Sequence, residues 1–129
     1  MATALDIITG ALRHLSLVAA NEQPSAEEGE HGLAALNDMC NGWKADNIYT
    51  GFSTIEDMTD DFILEDEHIG AVKAMLAEWI AADYGAAVPA EVAKRAYMGK
   101  MKLKHDYRSL DTLRVDGALQ FMPSQRRCY

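Results

Sequence analysis

Apolar side chains recur at helical spacing along most of this chain. Leu5, Ile8, Leu12 and Leu15, flanked by Ile7, Ala11 and Val18, form one wide stripe, with Asp6, Thr9, Arg13 and Ser16 opposite. That is the pattern of an amphipathic helix, started by Thr3 with Asp6 at capping-box spacing. Asn21-Glu22-Gln23-Pro24 breaks it, and Ser25 with Glu28 three residues on opens a second helix, with Glu27 and Glu30 placed to favour the positive end of its dipole. The expected buried face of that helix is Leu33, Leu36, Cys40 and Trp43, with Met39 beside them. Gly29, Gly32 and Gly42 are expected to weaken it, by up to about 1 kcal/mol each relative to Ala.

From Asn47 to about Leu64 the helical period stops. Ile48 to Ser53 is rich in β-formers, and the spacing admits a short hairpin pairing Tyr49–Ile55 with Phe62–Leu64. A connection this long in a small domain is commonly functional or mobile. A third helix follows, with Glu65, Asp66 and Glu67 in an acidic first turn, Ile69, Val72, Leu76, Trp79 and Ile80 at core spacing, and Gly85 as C-cap. Pro89 is placed to be the first residue of a fourth helix, whose core side carries Val92, Ala96, Gly99, Leu103, Tyr107 and Leu110. On its other side Tyr97, Met98 and Met101 form a second apolar patch bordered by Lys94, Lys100, Lys102, Lys104 and Arg108. A helix apolar on two faces contacts two things, its own core and, we expect, a neighbouring subunit.

The expected architecture is all-α: a four-helix bundle over residues 1–110, a long loop or short hairpin between the second and third helices, and an extended C-terminal arm over 111–129. The arm carries Phe121, Met122, Arg126 and Arg127, side chains suited to a segment that orders on a partner.

Charge changes this picture. The formal net charge of −8 argues against a general polyanion binder. It is unevenly spread. Residues 1–88 hold three basic and sixteen acidic side chains, a net of −13, whereas residues 89–129 hold nine basic and four acidic, a net of +5. Such polarity suits ordered head-to-tail association, or two faces meeting different partners.

Candidate chemistry changes it little. Cys40 and Cys128 form no pair with metal-ligand spacing, which suits a reducing compartment, and no basic leader or run of 18 apolar residues occurs, so a soluble protein without membrane partners is expected. His14, His31, His68 and His105 fit no HxxxH or HExxH pattern, and a calcium loop around Asp57, Asp60 and Asp61 fails because Phe62 occupies the glycine position. No nucleophile elbow or phosphate loop is present. Neither enzyme, cofactor nor metal is expected.

Leu36-Asn37-x-Met39-x-x-x-Trp43, Ile48-x-x-Gly51-Phe52, Leu76-Ala77 through Ile80-Ala81-x-x-Tyr84-Gly85, and Val88-Pro89-x-Glu91 followed by Ala96 occur in that order. Together they resemble the head-to-tail adaptor proteins of tailed bacteriophages, closest to the tail accessory factor of the short-tailed type, over about residues 3–110. The resemblance implies a helical subunit of a dodecameric ring in the virion neck, made in the host cytoplasm. It would bind beneath the portal protein, extend the DNA channel with possible non-specific contact to its DNA, and carry downstream tail or nozzle proteins. It places Tyr97, Met98, Met101, Lys102 and Arg108 at subunit contacts, Gly51, Phe52, Asp57 and Asp61 in a contact loop, and Phe121, Met122, Arg126 and Arg127 against the portal. The alternatives from composition are a DNA-binding or DNA-packaging subunit using the basic fourth helix, and a small hydrolase using a carboxylate pair.

Overall fold

The computed structural model describes residues 2–108; Leu110 and the expected arm, with Phe121, Met122, Arg126 and Arg127, lie outside the described residues. Among the described residues, four α-helices form the fold: α1 (Ala4–His14), α2 (Ala26–Asn41), α3 (Asp66–Ile80) and α4 (Ala90–Asp106). The chain is all-α, as its periodicity indicates. Helix α3 is the hub, packed against α4 on one side and α1 on another, while α2 lies against both α1 and α3.

Local chemistry sets the helix starts. The Thr3 hydroxyl accepts the Asp6 N–H at 3.2 Å while the Asp6 carboxylate accepts the Thr3 N–H at 3.0 Å. Ser25 and Glu28 make the same reciprocal pair at 3.2 and 2.9 Å. Each box satisfies two backbone donors that a helix N-terminus otherwise leaves unpaired. Pro89 departs from expectation by one position: with ψ of 145° it is the N-cap, and α4 starts at Ala90.

Three chain reversals use one device. Ser16, Asn47 and Gly85 all have positive φ, of 60°, 67° and 61°. Their N–H groups reach back to the carbonyls of Arg13, Lys44 and Ala82, and the N–H groups of the following residues, Leu17, Ile48 and Ala86, donate to Leu12, Trp43 and Ala81. These are Schellman closures, which satisfy orphan carbonyls and turn the chain back toward the core. Gly85, expected as the C-cap of the third helix, instead closes the turn that follows it: α3 ends at Ile80 with Ala81 as its C-cap. After α2, the helix first tightens to a 3₁₀ turn over Gly42–Asp46.

Glycines bring the helices together. A Cβ on Gly32 would lie 2.4 Å from Ile8 Cγ2, and one on Gly99 would lie 2.3 Å from Ala71 Cβ and 3.2 Å from Ala71 Cα. Gly32, expected only to weaken α2, instead seats it on α1. Covered by both α2 and α3, α1 is buried beyond its single stripe: Thr9, expected on the polar side, is buried and its hydroxyl has no hydrogen-bond partner.

The segment between α2 and α3 forms no hairpin. Its partner is the N-terminus: Thr3 and Asp61 form an isolated antiparallel bridge, Phe62 N–H donates to Ala2 at 2.9 Å, and the first-turn N–H groups of Ala4 and Leu5 donate to the carbonyls of Asp60 and Met58. Asn37 of α2 pins the middle, its amide nitrogen donating to the Ile55 carbonyl and its oxygen accepting the Ile55 N–H, both at 2.9 Å. Ile48, Ile55, Phe62 and Leu64 are thereby buried in the one core, with Trp43 edge-on to Phe62 at 6.5 Å. Ile48, Ile55, Phe62 and Leu64 face the helices, and the backbone between them pairs with the N-terminus rather than with itself.

Three substitutions test this packing. Gly99→Ala should cost about 1–3 kcal/mol in chemical denaturation, because the facing Ala71 atoms are rigid. Gly70→Ala, where an added Cβ meets nothing within 4 Å, should gain roughly 0.5–1 kcal/mol. Asn37→Ala should cost about 1–3 kcal/mol by orphaning both polar groups of Ile55, and should raise the rate of protease cleavage between residues 50 and 60.

Candidate assembly surface

Helix α4 turns Val92, Ala96 and Leu103 inward and leaves Tyr97, Met98 and Met101 in solvent, at 70%, 59% and 51% exposure. On a helix, residues three and four apart are neighbours, so Met101 adjoins both Tyr97 and Met98. The expected patch is therefore formed. Lys102 is exposed beside it, one turn beyond Met98. Arg108 is exposed but lies past the end of α4, roughly 16 Å along the axis from Tyr97, and is not brought to the patch.

The patch is larger than the α4 residues. Trp79 of α3, expected in the core, is 52% exposed and lies with Tyr97 along a groove of about 400 Å³. Met39, Trp43 and Met75, all buried, line the same groove, and the indole N–H of Trp43 has no hydrogen-bond partner. At its border Lys100 Nζ meets Asp46 Oδ2 at 3.1 Å, so this cation is already paired within the chain. On the other flank of α4, Met98 borders a shallow hollow of about 650 Å³ shared with His14, Ala71, Lys94 and Arg95. Burial, together with Arg95 and Lys73, holds the His14 imidazole below its usual pKa, so this hollow favours a neutral His14. Tyr97 and Met98 thus sit on a ridge between two concavities, the first edged by Asp46, Glu78 and Lys100 and the second by Glu91, Lys94 and Arg95.

Of the expected contact loop, Gly51, Asp57 and Asp61 are exposed, whereas Phe52 is half-buried with its ring 6.0 Å from Phe62. The Asp57 carboxylate accepts both the N–H and the hydroxyl of Thr59 at 2.9 Å, which lowers its pKa. It stabilises its own turn. Tyr49 and Ile63 are the other large apolar side chains exposed in this segment.

No reactive thiol is found at Cys40, which is buried and whose pKa is pushed far up by that burial, as expected of a small core hydrophobe. Cys128 lies outside the described residues. Among the described residues no helix is long and apolar enough to cross a membrane. His68, which fits no metal-ligand spacing in the sequence, is buried on α3 between Glu67 and Asp106. No protein-family model and no curated protein matches the chain.

If the ridge is a contact surface, Trp79→Ala and Tyr97→Asp should leave unfolding free energy within about 0.5 kcal/mol of the parent, as exposed positions do. A larger loss in denaturant titration would instead mark these side chains as part of the subunit's own packing.

Proposed function

We propose that this chain is a structural subunit of the head-to-tail adaptor type, assembling as a homo-oligomeric ring beneath a portal protein, extending the DNA channel and carrying tail or nozzle proteins. It acts by binding rather than catalysis. The observation that carries the reading is the exposed Trp79, Tyr97, Met98 and Met101 surface, which joins two hollows and is bordered by Lys94, Arg95 and Lys102 on a chain otherwise strongly acidic. Aromatic and methionine side chains are the types enriched in protein interfaces, and a cationic rim favours an acidic partner surface. The acidic majority of the chain supplies such a surface on a second copy.

In this reading the ring forms on the portal, with Phe121, Met122, Arg126 and Arg127 of the arm as further contacts. Native mass spectrometry of the full chain mixed with portal rings tests it. A ring-sized complex is expected, weakened at least tenfold by Tyr97→Asp. A chain ending at Leu110 that binds as well as the full chain would remove the arm from the mechanism. Duplex affinity that falls steeply with salt and disappears on charge reversal of Lys100, Lys102 and Lys104, without any portal complex, would replace this reading with a DNA-binding one.

A further inference from the structure

Away from the ridge, α3 and α4 meet a second time, where the start of one faces the end of the other. His68, on the first turn of α3, is only 2% exposed, and its Nε2 faces two carboxylates: Glu67 Oε1 at 3.5 Å and Asp106 Oδ2, from the last residue of α4, at 3.3 Å. Neither contact is a good charge-assisted hydrogen bond, which would bring nitrogen and oxygen to about 2.7–2.9 Å. Both match another geometry. Ligands bound about 2.1 Å from one tetrahedral ion lie about 3.4 Å from each other. All three ligand atoms fall within 4.8 Å of one another.

We infer that Glu67, His68 and Asp106 form a binding site for one borderline divalent ion of the zinc class, with the fourth position open to water. The imidazole nitrogen selects this class over calcium or magnesium, which prefer all-oxygen sets. Three protein ligands and one open position form the pattern of an exchangeable site, and Glu67, at 63% side-chain exposure, leaves a route for entry. The surroundings suit a cation. The Tyr107 ring packs edge-on against His68 at 5.5 Å, and the Tyr107 hydroxyl is raised in pKa first by burial, then by the charges of Glu65, Asp106 and Glu67. Two carboxylates therefore face one buried imidazole, and a third, Glu65, acts with them on the adjoining Tyr107 hydroxyl. Asp106 also ends α4, where the C-terminal carbonyls favour positive charge. A bound ion would tie the start of α3 to the end of α4.

The full chain, stripped with chelator, is titrated with zinc by calorimetry, and with cobalt by visible absorption. One equivalent bound, a tetrahedral cobalt band and a rise in melting temperature of roughly 5 °C at saturating zinc are expected. Glu67→Gln and Asp106→Asn alter exposed or part-exposed side chains and should fold, and each should weaken zinc binding at least tenfold and abolish the cobalt band. His68→Gln should do the same, judged only if its circular dichroism matches the parent. No binding by the parent chain overturns the inference, and so does binding that survives both carboxylate substitutions. The inference does not depend on the assembly reading, since it concerns the isolated subunit.

Discussion

The close seat of α4 on α3 is the constraint from which the rest of the molecule's surface follows. At Gly99 the helices approach until no β-carbon fits against Ala71. A helix held that close needs only a narrow inward stripe, which Val92, Ala96 and Leu103 provide. Everything else on α4 is presented outward, including a set of apolar side chains large enough for a core of its own. Ala74 and Ala77 keep α3 slim where it is buried among its neighbours. Small residues thus stand at the closest approach of α3 and α4, with Val72, Leu76 and Ile80 filling the core beside them, while Trp79 and Tyr97 remain outside.

The segment between α2 and α3 is the second structural layer, although it has no regular secondary structure. It closes over the amino end of α1, accepts two of that helix's orphan N–H groups, and delivers Phe62 and Leu64 to the core. Its start is tied to the other end of the bundle, since Tyr49 N–H donates to the Tyr107 carbonyl at 2.7 Å. The amino end of α1, the middle of α2 and the end of α4 are thereby held by one stretch of chain. An acidic, irregular segment read as a free contact loop is in large part internal scaffolding, with Gly51, Asp57 and Asp61 at its surface.

What was legible in the sequence was what neighbouring residues decide. The capping boxes at Thr3 and Ser25 and the left-handed closure at Gly85 act over three to five residues and stand where the pattern puts them. Trp79 was not legible, because it lies between Val72 and Met75 on the helical wheel and both of those are buried. Its exposure depends on where the covering elements stop, which periodicity does not encode. The hairpin failed for a related reason: β-formers reveal an extended segment but not its partner, which here is residues 2–5. His68 and Asp106 stand far apart in sequence, and only the antiparallel packing of α3 and α4 brings them together.

The distribution of charge around the ridge separates two roles that composition alone merges. Lysines at the border of an apolar patch remain solvated when that patch is covered, so they contribute little to affinity and much to the rate and orientation of encounter. In the proposed assembly, desolvation of Tyr97, Met98, Met101 and Trp79 would supply the affinity. A chain this acidic would, in the proposed assembly, repel its copies in most orientations and attract them where the lysines of α4 face an acidic flank. Such a surface favours one head-to-tail geometry over a symmetric face-to-face pair, in which the two basic ridges would confront each other. Head-to-tail contacts of a single kind close into a ring when the rotation between subunits divides a full turn, and extend into a filament when it does not. A template beneath the ring would settle that choice by fixing the rotation, so the same ridge is compatible with a subunit that stays monomeric until it meets its platform.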